Sequence, residues 1–229
     1  MYSSIRIRIS ALTASFRVPA FVSHQLSLPV PPLSTIFGLL SASVGRWVYP
    51  KEVEWIAYSF EYESKATDLE AIINVQRKKT EDNVTFGPRN VMQREFLTMP
   101  NLTLYLPPMW EEYFRCPRYA LLLGRTQDVA CVESIERTTL ENVDAGKVKG
   151  VLLPYRIVAQ NHAPAWLQNL PVTFTDEPER TPLGMQVFGV IDVHKPVSLT
   201  NVTHWLVRDA DIDMEVPIYT QEWILNAIQ

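Results

Sequence analysis

A chain of 229 residues, 47% hydrophobic and 20% charged, can bury one large core or two small ones and has the balance of a globular protein. It contains no apolar run of 18 residues, which excludes a helical membrane span. Its N-terminus, MYSSIRIRIS, alternates instead of forming a signal-peptide core, so a cytoplasmic protein with no membrane partner is expected.

The first element is a strand. Ile5, Ile7 and Ile9 alternate with Arg6, Arg8 and Ser10, which places apolar side chains on one face and cations on the other. Phe16 to Pro32 is irregular and proline-rich. Leu33, Ile36, Phe37, Leu40 and Val44 then recur at helical spacing, with Pro32 and Ser34 suited to a first turn and Gly45 to a C-cap. Trp55–Tyr62 reads as a strand. Ala71–Val75 fits either a strand or a short helix. Residues 77–94 are polar, basic and turn-prone, which suits a projecting hairpin or a long surface loop. Asn101–Leu106 is a strand, Pro107-Pro108 ends it, and Met109–Phe114 makes a short helix. Tyr119–Leu123 is a strand stopping at Gly124.

This order is a ferredoxin-like (RRM-like) βαββαβ plan in an α+β chain. Beyond Gly150 the apolar runs are short and broken by prolines, which predicts a smaller β-rich lobe. The domains expected are therefore 1–148, with a protruding β-hairpin thumb at 77–94, and 149–229.

Net charge is −4, which argues against a free-standing nucleic-acid binder. The charge is unevenly spread, however. Residues 1–50 hold Arg6, Arg8, Arg17 and Arg46 and no acid, whereas residues 151–229 hold nine acids against four bases. One face for RNA and another for protein fits this spread, and so does ordinary variation along a chain.

Catalytic motifs are missing. The four histidines show no HExxH or HxH spacing, and there is no Walker loop, GxGxxG or GxSxG. No metal site, cofactor or catalytic residue is therefore expected. Cys116 and Cys131 read as buried free thiols. The run from Asp209 through Asp211 and Asp213 to Glu215 reads as a strand with a solvated acidic face, since it lacks a calcium-loop glycine. Metal-free RNA cleavage needs only a positioned acid/base and a cation, and His24, or a tyrosine with a lysine, is a candidate. Ser34 and Thr35 sit at the start of the first helix, where free N–H groups and the dipole attract anions. The local sequence favours Ser34 as a simple N-cap. Arg17 and Arg125 flank irregular segments. Arg125 is placed to meet phosphate or to pair with Asp128 in a turn.

Several segments carry a family resemblance. They are Ala14-Ser15-Phe16-Arg17, PPLSTIFGLLSA from Pro31 to Ala42, Pro88-Arg89, Arg94-Glu95-Phe96-Leu97, and LLLGRTQD from Leu121 to Asp128. Together they resemble the CRISPR-associated Cas proteins of the number-five family in the RAMP superfamily, nearest the type I-B and I-A forms, over about residues 1–135. The resemblance implies a non-catalytic Cascade subunit that binds the 5′ handle of the crRNA beside the backbone and large subunits, reaching target DNA through the assembled ribonucleoprotein. It implies RNA contacts from Arg17, His24, Ser34, Thr35, Arg77, Lys78, Lys79, Arg89, Arg94, Arg125 and Gln127. One variant of the family cleaves repeat RNA, so an endoribonuclease is the alternative. An unrelated ferredoxin-like interaction module is a third.

Overall fold

The computed structural model describes residues 1–19, 24–77 and 84–228. Strand β1 (Tyr2–Ala11) buries Ile5, Ile7 and Ile9 in the main apolar cluster. That cluster also holds Leu33, Ile36, Phe37 and Leu40 of helix α1 (Leu33–Val44), so the helix lies over the isoleucine face. Each fully buried aliphatic side chain contributes about 1.5–3 kcal/mol. Gly45 caps α1 in the left-handed region, at φ 86°, and donates its N–H to Ser41. Next come β2 (Trp55–Glu61), β3 (Ser64–Arg77), β4 (Val84–Thr98) and β5 (Asn101–Leu106). A 3-10 turn at Pro108–Trp110 leads into α2 (Glu111–Arg115), and β6 (Val129–Asn142) follows.

Strands β3 and β4 form one long antiparallel ribbon, from Ser64↔Thr98 to Arg77↔Val84. The predicted thumb is thus the distal part of a longer hairpin, and Ala71–Val75 is strand. Leu97, at the hairpin's base, is buried in the main apolar cluster, but farther out Leu69, Val75, Phe86 and Val91 are all more than half exposed. Lys78 and Lys79 lie outside the described residues.

The later elements are β7 (Ala145–Val148), β8 (Val151–Pro154), α3 (Tyr155–Asn161), β9 (Trp166–Phe174), β10 (Pro182–Ile191), β11 (Val197–Thr200), β12 (Leu206–Asp209), β13 (Met214–Thr220) and α4 (Gln221–Ala227). Strands β8, β10 and β9 make a three-stranded sheet, and β7 pairs with β11. Strands β12 and β13 return to the first sheet. They close it into a six-stranded antiparallel ring, β1–β5–β2–β13–β12–β6, with β6 pairing back to β1. Closure removes two sheet edges that would otherwise present unpaired N–H and C=O groups.

The structure also departs from four expectations. The two cations expected on the other face of β1 differ: Arg8 is exposed, whereas Arg6 is buried inside the ring. Arg6 is 6% exposed, and its Nη1 donates to Asp209 Oδ2 at 2.6 Å while Nη2 pairs with Glu136. The acidic run from Asp209 to Glu215 is not one strand but a tight turn, 210–213, between β12 and β13, and its first member, Asp209, is fully buried and also accepts from Tyr105 Oη and Thr138 Oγ1 at 3.0 Å each. Around this pair, Trp55, Ala57, Tyr105, Leu140, Val207, Val216 and Ile218 form a second apolar cluster drawn from five ring strands. The strand expected at Tyr119–Leu123 shrinks to a Leu121–Leu122 bridge onto β6, and β6 is the long partner of β1. Both cysteines are free thiols but exposed, not buried.

Candidate nucleic-acid interface

Four segments far apart in sequence meet at the N-terminal end of α1. The first is the short pair Phe16–Arg17 with Ser27–Leu28, where Phe16 N–H donates to Ser27 Oγ at 3.0 Å. The second is the first turn of α1. Its N-cap is Pro32, in extended conformation, with no side-chain cap, and the turn contains no acid. Ser34 is therefore not the N-cap, and the N–H groups of Leu33 and Ser34 precede the helical ladder. The third is the middle of the β3–β4 ribbon, which supplies Glu70 and Arg94. The fourth is the loop Gly124–Asp128.

Backbone geometry locks that loop in place. Ser15 N–H donates to the Leu123 carbonyl, and Leu123 N–H to the Asp128 carbonyl. Gly124 has φ 117°, and a Cβ there would stand 2.0 Å from the Ser15 carbonyl oxygen. Only glycine fits such an approach.

Together these segments wall a groove of about 760 Å³ lined by Arg17, Ser34, Thr35, Arg94, Arg125 and Gln127, with Thr126, Glu70 and Phe174 beside them. Six of the residues expected to meet RNA thus share one groove. A neighbouring cavity of about 610 Å³ shares Ser34, Thr35, Gly124 and Phe174 and runs along α1 to Trp47, on which the Arg180 guanidinium stacks at 5.2 Å.

The three arginines differ. Arg17 is exposed and makes no ion pair among the described residues. Arg125 is a clamp: its Nε and Nη2 meet Asp128 Oδ2 and Oδ1 at 3.0 Å each, its Nη1 meets Glu70 Oε1 at 3.0 Å, and its guanidinium covers the Phe96 ring at 5.4 Å. Burial alone would lower its pKa. The bonds from Asp128 and then Glu70 outweigh that and hold the pKa raised. Arg94 is intermediate. Its Nε lies 3.0 Å from Glu70 Oε2, yet that buried N–H makes no hydrogen bond, because it is not aimed at the oxygen.

The remaining expected contacts lie elsewhere. His24 Nδ1 is 2.9 Å from Gln93 Oε1, where a parallel bridge joins His24–Gln25 to β4. Arg89 is exposed on β4 toward the hairpin tip, and Arg77 ends β3. Glu70, Thr126 and Phe174 also line the groove, although no sequence motif points to them. Among the described residues no group of three or more histidine, cysteine or acidic side chains has a metal-binding arrangement, and no helix is long and apolar enough to cross a membrane.

No family model matches the chain, and no curated protein matches it either. Solved structures do. A chain of a CRISPR RNA-guided surveillance complex matches with a TM-score of 0.51 at 14% identity, over 99% of both chains. A chain from the cryo-EM structure of the type III-B Cmr-beta complex bound to cognate target RNA matches with a TM-score of 0.52 at 11% identity, over 84% of this chain and 86% of that one. At these identities the likeness is one of fold, and the protein shares its mixed, strand-dominated architecture with chains of CRISPR ribonucleoprotein assemblies.

Proposed function

We propose that this chain is a non-catalytic subunit of a type I CRISPR effector complex that caps the 5′ handle of the crRNA, of the Cas number-five kind and nearest the I-B and I-A forms. The observation carrying this reading is the convergence of Arg17, Ser34, Thr35, Arg94, Arg125 and Gln127 on one groove. Cations, hydroxyls and an uncapped helix start are what a phosphate chain needs. The shared fold supports a place in such an assembly. On this reading β2–β5–β1–β6 is the ferredoxin-like unit, since all three pairings are antiparallel and α1 and α2 follow β1 and β5. The β3–β4 hairpin is the thumb.

The handle's phosphates lie along Arg17 and Arg94 and over the start of α1, while Arg125 shapes the loop from behind. The backbone and large subunits cover the remaining faces and add the positive charge that a chain of net charge −4 lacks. Target DNA is reached through the assembled cytoplasmic complex. The non-catalytic part of the reading draws support from His24, whose partner is the Gln93 amide. That contact brings no second acid or base to the imidazole, and metal-free cleavage needs an acid/base group together with a cation.

Two assays test this. Complexes assembled with Arg17→Ala or Arg94→Ala retain less guide RNA, by about tenfold or more for each charge-assisted bond to phosphate removed; unchanged retention rejects the groove. Incubation with repeat RNA in EDTA yields no discrete product, whereas specific cleavage that His24→Ala abolishes establishes an endoribonuclease.

A further inference from the structure

The groove contains an acid that a phosphate site has no evident use for. Glu70 sits midway along the hairpin, opposite Met92 in the β3–β4 register and near Arg94. One oxygen accepts from Arg125 Nη1 at 3.0 Å and the other stands 3.0 Å from Arg94 Nε. Arg125 does not need it. Asp128 already holds that guanidinium by two bonds, and Asp128 is fully buried and unreachable by a ligand. Glu70 is a quarter exposed, and its contact with Arg94 lacks hydrogen-bond direction. Of the two carboxylates on this arginine pair, one is permanent and the other is displaceable.

We propose that Glu70 is an internal substitute for phosphate. It occupies Arg94 and the outer edge of Arg125, and a bound nucleic-acid phosphate takes its place. Glu70 thereby sets specificity: an isolated anion must displace a covalently tethered carboxylate, whereas a chain presenting several phosphates in series also gains Arg17 and the start of α1. This rests on the groove being the RNA site proposed above.

The test uses the full-length chain and a 5′-labelled RNA copied from the start of the mature guide, with inorganic phosphate as competitor. Glu70→Gln tightens RNA binding about two- to fivefold, the equivalent of one partly exposed ion pair, and lets inorganic phosphate compete at lower concentration than against wild type. Glu70→Ala moves both readouts the same way. A carboxylate that merely positions the arginines gives the opposite sign. If Glu70→Gln and Glu70→Ala leave affinity unchanged or weaken it while Arg94→Ala still weakens it, the substitution idea is overturned and the groove stands. If Arg17→Ala and Arg94→Ala are both without effect, the groove and this proposal fall together.

Discussion

Arg17, Arg94 and Arg125 line the same groove, but their surroundings assign them different work. Removing Arg125 strips Asp128, fully buried, of its bidentate partner, and an uncompensated buried charge costs about 3 kcal/mol or more. Arg125→Ala therefore lowers the unfolding midpoint in urea as well as RNA binding, while Arg17→Ala lowers binding alone. An Arg125→Ala protein as stable as wild type would show the clamp to be ornamental. Of the two pairings foreseen from the sequence for this side chain, to phosphate and to Asp128, the structure shows the one with Asp128. Gly124 is legible as a strand stop, but its reason is not, because the Ser15 carbonyl it crosses lies more than a hundred residues earlier. Gly124→Ala forces that carbonyl away and strains a positive φ, with an expected loss of about 1–3 kcal/mol, measurable as a lower thermal midpoint. Glu70 carries no sequence signal at all: one acid on a polar strand means nothing until Arg94 and Arg125 stand beside it.

At the scale of elements, local pattern works where one element buries one face. The isoleucine alternation of β1 and the helical spacing of α1 are seen as expected, because both pack into the same cluster. It fails for β6, VACVESIERTTLEN, whose largely polar side chains hide a strand held by pairing with β1 over ten residues. The hairpin is legible only in its basic distal part, since the β3 half carries acids and exposed apolar residues that mimic a loop. That exposure yields a prediction. Replacing residues 79–90 with a short Gly-Ser turn removes no core contact from Phe86, which is 75% exposed, so the unfolding midpoint is unchanged. Guide retention by the assembled complex falls sharply if the hairpin grips RNA; retention equal to wild type removes Arg89 from the interface.

At the scale of the whole molecule, the ring ties the ends of the chain together. The salt bridge between Arg6 and Asp209 spans 203 residues, and β12 and β13 supply two of six ring strands. Composition suggests a division near residue 148, because prolines beyond it break every apolar run. Ring closure is a non-local pairing that no window of sequence displays. A fragment of residues 1–148 leaves β2 and the end of β6 with open edges and Arg6 without Asp209, so it is expected to show no cooperative unfolding; a sharp transition would make the first half autonomous. The central claim, that the groove at the start of α1 holds the crRNA 5′ handle, has a direct test. The chain is assembled with its guide RNA and neighbouring subunits, thiouridine is placed in the handle, and photocrosslinked peptides are mapped. The account predicts crosslinks to the segments containing Phe16 and Arg17, Ser34 and Thr35, and Gly124 to Gln127; crosslinks confined to other faces of this chain, or to other subunits alone, contradict it.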